Sequence, residues 1–194
     1  MRLSSEIKEI LPAGLLMDGE KDAIYRLSYG MRQAIDLGTF RGLSAAILSF
    51  SCKSVHTFDV FEGINYMNEY DTNQYKDLHK KEGHNYADVK AALSKFTNIT
   101  VCKKETAVAG VEWSGGVVDV LFVDADHSEI ETIRNVMSWL PKMSAGGRII
   151  FHDNNDIHPE VQSAIKKLSE TGLLRFFDPG YDPGSIAVCE VIGK

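Results

Sequence analysis

Two short polar clusters carry the residue types that do chemistry. Asp124-Ala125-Asp126-His127 follows the apolar run Val117 to Val123, and His152-Asp153-Asn154-Asn155 follows the run Arg148 to Phe151. In open α/β sheets, ligands sit beyond the carboxyl ends of the strands. If the two ends converge, Asp124, Asp153 and Asn154 offer two carboxylates and an amide oxygen, which suits a hard divalent cation such as Mg²⁺, Mn²⁺ or Ca²⁺. No thiolate stands near them in the chain, which disfavours a soft metal. The turn Asp36-Leu37-Gly38-Thr39-Phe40-Arg41-Gly42 is a third point of interest. Glycine there allows a tight turn and close approach of backbone to a ligand.

The elements that must position these residues alternate between short apolar runs and amphipathic stretches, the pattern of βα units and a parallel sheet. Residues 20–31 read as a helix leading into a first strand, Gln33 to Leu37, which ends in the glycine turn. An apolar helix over about 43–51 follows, then a second strand, Val55 to Val60, with Asp59 near its end. Residues 61–82 are polar and predict a loop with some helix, a candidate lid. A helix over 84–96 precedes a short third strand, Asn98 to Cys102. Val117 to Val123 is nearly all apolar, as a strand buried on both faces requires. Ser128 and Glu131 form a capping-box pattern, so a helix should start at Ser128 and stop at Pro141. Gly146-Gly147 turns into a strand over Arg148 to His152. Pro159 opens a helix that Gly172 ends. Leu173 to Phe177 and Ser185 to Val191 read as two closing strands, a departure from uniform βα repetition. The fold expected is a doubly wound, Rossmann-like α/β domain. It has a seven-stranded, mostly parallel sheet and a C-terminal antiparallel strand, forming one domain over 1–194 with an N-terminal helical extension over 1–30.

These motifs carry a family resemblance. An acidic residue two before a glycine, with a second glycine four further on, resembles the first motif of class I S-adenosylmethionine-dependent methyltransferases. That resemblance implies S-adenosyl-L-methionine as cofactor, with Asp36, Gly38, Gly42 and Ser44 around its methionine part. Asp59 stands where a carboxylate accepts hydrogen bonds from ribose hydroxyls, and Glu105 where such enzymes line the adenine pocket. Phe122-Val123-Asp124-Ala125-Asp126, with Gly146-Gly147 and Asp153-Asn154, is similar to the cation-dependent O-methyltransferases of the catechol and caffeoyl-CoA type. In their strand order the fourth and fifth strands are neighbours, so both clusters would share one rim beside the cofactor. The resemblance implies Asp124, Asp153 and Asn154 as metal ligands, with Asp124 also beside the cofactor. The lysine base of that family, three residues after the first Asp, is His127 here. Asp126-His127-Ser128, Trp139-Leu140-Pro141 and Phe151-His152-Asp153 resemble the macrolide sugar O-methyltransferases more closely, where a histidine at this place is the proposed base. The likeness spans roughly residues 33–170.

The implied reaction is O-methylation of a small hydroxylated acceptor. A substrate with two neighbouring hydroxyls, such as a vicinal diol, sugar or catechol, would chelate the ion. Asp126 reads more simply as a helix-start residue, and His152 as a packed strand-end histidine. His56, His79, His84 and His158 form no spaced constellation. Trp113 and Trp139 read as core or edge aromatics.

Bulk properties narrow the class. The 194 residues are 44% hydrophobic and 25% charged, ordinary for a folded domain, and the net charge of −6 argues against a nucleic-acid partner. Cys52, Cys102 and Cys189 are widely spaced and read as free thiols of a reducing compartment. The sequence shows neither a signal peptide nor a membrane span. A cytoplasmic enzyme with no membrane partner is expected, and a homo-oligomer is compatible. Two other readings stand at this level. An NAD-dependent oxidoreductase would need G-x-G-x-x-G, whereas the turn has only Gly38 and Gly42. A non-catalytic S-adenosylmethionine-binding module would not need Asp124, His127, Asp153 and Asn154.

Overall fold

All six residues of β4 (Val118–Val123) are buried, because helices cover both faces of the sheet at whose centre it lies. The computed structural model describes residues 2–61 and 85–193. The predicted loop or lid over 61–82 falls, except for Phe61, outside the described residues. The other strands are β1 (Gln33–Leu37), β2 (Ser54–Asp59), β3 (Ile99–Lys103), β5 (Met143–Phe151), β6 (Leu174–Phe176) and β7 (Ala187–Val191). They form one seven-stranded sheet in the order β3-β2-β1-β4-β5-β7-β6. Pairings are parallel from β3 through β5, while β7 runs antiparallel to both β5 and β6. This is the doubly wound, mostly parallel fold expected, with its late antiparallel strand.

The helices are α1 (Ser5–Ile10), α2 (Asp18–Ser28), α3 (Leu43–Ser49), α4 (Tyr86–Leu93), α5 (Thr106–Glu112), α6 (Glu129–Trp139) and α7 (Pro159–Glu170). Strand side chains alternate between two apolar cores. Ala34, Val120, Phe122 and Ile150 pack with α2, α3 and α4. Ile35, Leu37, Leu121, Val123 and Phe151 pack with α5, α6 and α7. The N-terminal extension is therefore not an appendage, since Ala23, Ile24 and Leu27 of α2 belong to the first core. No described helix is long and apolar enough to cross a membrane.

Most elements fall where periodicity predicts them. Ser128 caps α6 by accepting the Glu131 N–H at 3.3 Å. Two differences have clear causes. The Gly146-Gly147 pair was expected to turn into a strand from Arg148, but β5 already starts at Met143, and a register shift opposite Val118–Val120 absorbs the glycines. Helix α5 was not predicted. Its seven residues include Gly110 and a mix of small and β-branched side chains with no clear period. Gly110 is required by packing, because a Cβ there would lie 2.5 Å from Ser138 Oγ and 2.9 Å from the Trp139 ring.

Candidate active site

Backbone hydrogen bonds step the strand ends into register. Gly38 N–H donates to Phe58 O at 3.0 Å, Asp124 N–H to Leu37 O at 2.9 Å and His152 N–H to Val123 O at 3.1 Å. The carboxyl ends of β2, β1, β4 and β5 thus form one continuous rim, and the chain's two acidic clusters are neighbours on it.

The glycine turn lies at the middle of that rim. Gly38 has φ 92°, and a Cβ on it would sit 1.9 Å from the Asp124 carbonyl oxygen. Only glycine lets β1 and β4 close to this distance. Gly42, with φ 88°, is the N-cap of α3. Asp36 lies beneath the turn with no exposed surface. Thr57 Oγ1 donates to its Oδ2 at 2.5 Å, the Thr39 hydroxyl meets that of Thr57 at 2.5 Å, and Ser44 also hydrogen-bonds the carboxyl. Asp36 Oδ1 has no partner. Asp36 and Ser44 thus brace the turn from below.

Burial lifts the Asp36 carboxyl to about 7 against the bonds from Thr57 and Ser44, and the charges of Asp124 and Asp59 add to the rise. The folded chain then holds a proton that the unfolded chain releases near the ordinary carboxylate pKa. Stability from this group falls as pH rises from about 4 to about 7. The melting temperature of Asp36→Asn, which has no proton to lose, is expected to gain on wild type as pH goes from about 5 to about 8. A gap that stays flat over that window would exclude Asp36 as the titrating group.

Asp59, at the end of β2, accepts Phe40 N–H at 3.0 Å and Phe61 N–H at 2.8 Å. It faces the rim and shapes the turn. Glu105 is the N-cap of α5, accepting Ala107 N–H at 3.2 Å and Val108 N–H at 2.8 Å, and it pairs with Arg134 at 3.4 Å. Its carboxylate serves the helix end. Asp126 accepts Ser128 N–H at 2.8 Å, as its helix-start reading anticipates.

The acidic clusters do meet. His127 Nε2 stands 3.2 Å from Asp153 Oδ2 and 3.7 Å from Asp124 Oδ1. Asp153 has φ 56°, a left-handed conformation uncommon for a residue with a side chain and concentrated at functional sites. Asn154 follows it, with its N–H donating to Ser185 O at 2.8 Å. Sequence reasoning missed three further participants. His152 Nδ1 lies 3.0 Å from Asp153 Oδ2 and 3.3 Å from Asp124 Oδ1. His158 is buried, its Nε2 3.8 Å from Asp153 Oδ1, and its ring stands edge-on to His127 at 4.4 Å. Glu20 of α2, 2% exposed, reaches His152 Nε2 at 3.4 Å. The adjacency of His152 to Asp153 was a usable signal for the first. His158 forms no spaced constellation in the sequence, and Glu20 reads only as the first residue of the helix over 20–31.

Charge in this cluster is strongly coupled. Burial opposes ionisation of Asp153, but His152, His127 and His158 hold its carboxyl down to about 2. Burial likewise opposes the charged form of His152, yet Asp124, Asp153 and Glu20 together raise it well above the usual imidazole range. The donors Asp124, His152 and Asp153, and separately His127, Asp153 and His158, each place three ligand atoms within 4.8 Å of one another. A divalent cation fits this donor set. It would neutralise two converging carboxylates, and both His152 ring nitrogens are buried without an aligned hydrogen bond.

The rim at the carboxyl ends, the β1 glycine turn and the antiparallel β7 define a class I methyltransferase fold. Residues 35–154 match the methyltransferase domain family, and the chain belongs to it. Solved structures with the same fold include one assigned as an O-methyltransferase from Klebsiella pneumoniae, at 13% identity and TM-score 0.66 over 100% of this chain and 92% of that one. The O-methyltransferase NovP matches at 13% identity and TM-score 0.64 over 91% and 80% of the two chains. A methyltransferase-like protein of Streptococcus mutans, solved with S-adenosylhomocysteine, matches at 12% identity and TM-score 0.58 over 89% and 95%. No curated protein matches by sequence.

Proposed function

We propose that this enzyme transfers a methyl group from S-adenosylmethionine to a hydroxyl of a small, hydroxylated cytoplasmic acceptor. A divalent cation would be held by Asp124, Asp153 and Asn154, with His127 as general base. The observation that carries this reading is the meeting of His127, Asp124 and Asp153 within 3.7 Å on one rim. The methyltransferase family match supports the donor. The Streptococcus mutans neighbour, solved with the demethylated cofactor, adds to that support.

The donor supplies an electrophilic methyl group, and a bound cation lowers the pKa of an acceptor hydroxyl. The chain's own groups do the rest. The Gly38–Gly42 turn lets backbone approach the donor closely, and Asp59 offers carboxylate oxygens for ribose hydroxyls at the end of β2. His127 Nε2 takes the acceptor proton, and Asp153 at 3.2 Å stabilises the imidazolium that forms. Holding acceptor and donor aligned at short range accounts for much of the acceleration.

Two oxygen atoms of a vicinal diol or catechol can share one cation, which favours such acceptors over isolated alcohols. The test is methyl transfer across a panel of diols, sugars and catechols, with and without chelator. Turnover of a vicinal diol, lost in chelator and restored by added cation, is expected. Chelator-insensitive turnover would remove the cation from the reaction, and absence of turnover with tight S-adenosylhomocysteine binding would favour a non-catalytic module.

A further inference from the structure

His152 and Glu20 are not accounted for by the reaction as described. The His152 side chain is 11% exposed and Glu20 2%, so both are withdrawn from solvent next to Asp124 and Asp153. Both His152 nitrogens lie within ion-pair distance of carboxylates, but neither is aligned for a hydrogen bond. Nδ1 of this buried imidazole and one oxygen each of Asp124 and Asp153 lie within 4.8 Å of one another, close enough to share one ion.

Glu20 is anchored independently of the histidine. It accepts Ser185 Oγ–H at 2.6 Å, Ser185 N–H at 3.2 Å and Met17 N–H at 2.8 Å. Ser185 in turn receives the Asn154 N–H on its carbonyl at 2.8 Å. Helix α2, the segment before β7 and the loop after β5 are thus tied together at this point. Glu20 is the carboxylate on the Nε2 side of the ring, 3.4 Å away, while Nδ1 faces Asp153 Oδ2 at 3.0 Å and Asp124 Oδ1 at 3.3 Å. Metal-bound histidines are oriented by just such a partner on their other nitrogen.

We propose that His152 Nδ1 is a further protein ligand of the cation, beside Asp124, Asp153 and Asn154, and that Glu20 is its positioning carboxylate. This rests on the cation of the proposed function and deepens it by assigning the metal class. One imidazole with two carboxylates suits Mn²⁺, Fe²⁺ or Co²⁺ better than Mg²⁺ or Ca²⁺, which take oxygen ligands.

The test uses the full chain with Mn²⁺, read by titration and by electron spin-echo modulation, which detects a coordinated imidazole nitrogen. Wild type is expected to bind Mn²⁺ more tightly than Mg²⁺ and to show the nitrogen signal. His152→Gln should lose the signal, with affinity down at least about 10-fold, while His127→Ala keeps it. Glu20→Gln should weaken Mn²⁺ by about 10–100-fold, the usual loss for a residue behind a ligand. S-adenosylhomocysteine affinity should stay near wild type in every variant, and circular dichroism checks folding. If Glu20→Gln does not fold, the wild-type signal and its loss in His152→Gln decide. Mn²⁺ bound without a nitrogen signal, or with one that survives in His152→Gln, overturns the inference and leaves the proposed function standing. A wild type that binds no cation removes both this ligand and the cation of the proposed reaction.

Discussion

Replacing His127 by alanine is expected to lower methyl transfer by roughly 10²–10⁴-fold, the usual contribution of a general base. Binding of S-adenosylhomocysteine should stay near wild type. The split follows from position. His127 stands after β4, facing Asp153 and Asp124, whereas the glycine turn and Asp59 belong to β1 and β2. Its ring also leans on His158, so some local loosening accompanies the change. That loosening should appear as a small drop in melting temperature and not as lost cofactor affinity. Initial rates at saturating donor, with calorimetric titration of S-adenosylhomocysteine, separate the two. Turnover within a few-fold of wild type would take His127 out of the mechanism.

Asp153→Ala is expected to be at least as damaging, through a different property. Asp153 is the hub of the cluster, with His127, His152 and His158 all within 3.8 Å of its carboxylate. Removing it deletes a proposed metal ligand and leaves His127 without its nearest carboxylate. Cation affinity should fall by at least about 100-fold, beyond what a supporting residue costs, and turnover should not recover at high cation concentration. Asp153→Asn keeps the shape and the left-handed backbone tolerance of the site but not the charge. It should fold normally and show the same defect. Cation titration of the two variants checks this, and wild-type affinity in Asp153→Asn would show that the charge of this side chain holds no ion.

Most of the fold was legible because it rests on local patterns. The apolar run Val118–Val123 announces a strand covered on both faces, Ser128 with Glu131 announces a helix start, and Gly172 announces a helix end. Helix α5 and the early start of β5 were not legible. The first is short and carries a glycine whose reason is the Trp139 ring of another helix. The second depends on a register shift against β4. Residues Asp124, His127 and Asp153 stood out by type and by their place at strand ends. The hydrogen bonds by which Asp36 and Ser44 brace the turn, and by which Glu105 caps α5, come from partners that motif position alone does not name.

By itself, the sequence determined the alternation of strands and helices, the glycine turn and the residue types at the strand ends. Those follow from periodicity and backbone preference within a few residues. Only the tertiary structure decided that Gly38 must admit the Asp124 backbone and that Glu20 reaches His152 from the opposite end of the chain. These are contacts between distant segments, fixed by how the two faces of the sheet bury their apolar side chains. No local preference encodes which buried carboxylate will meet which imidazole.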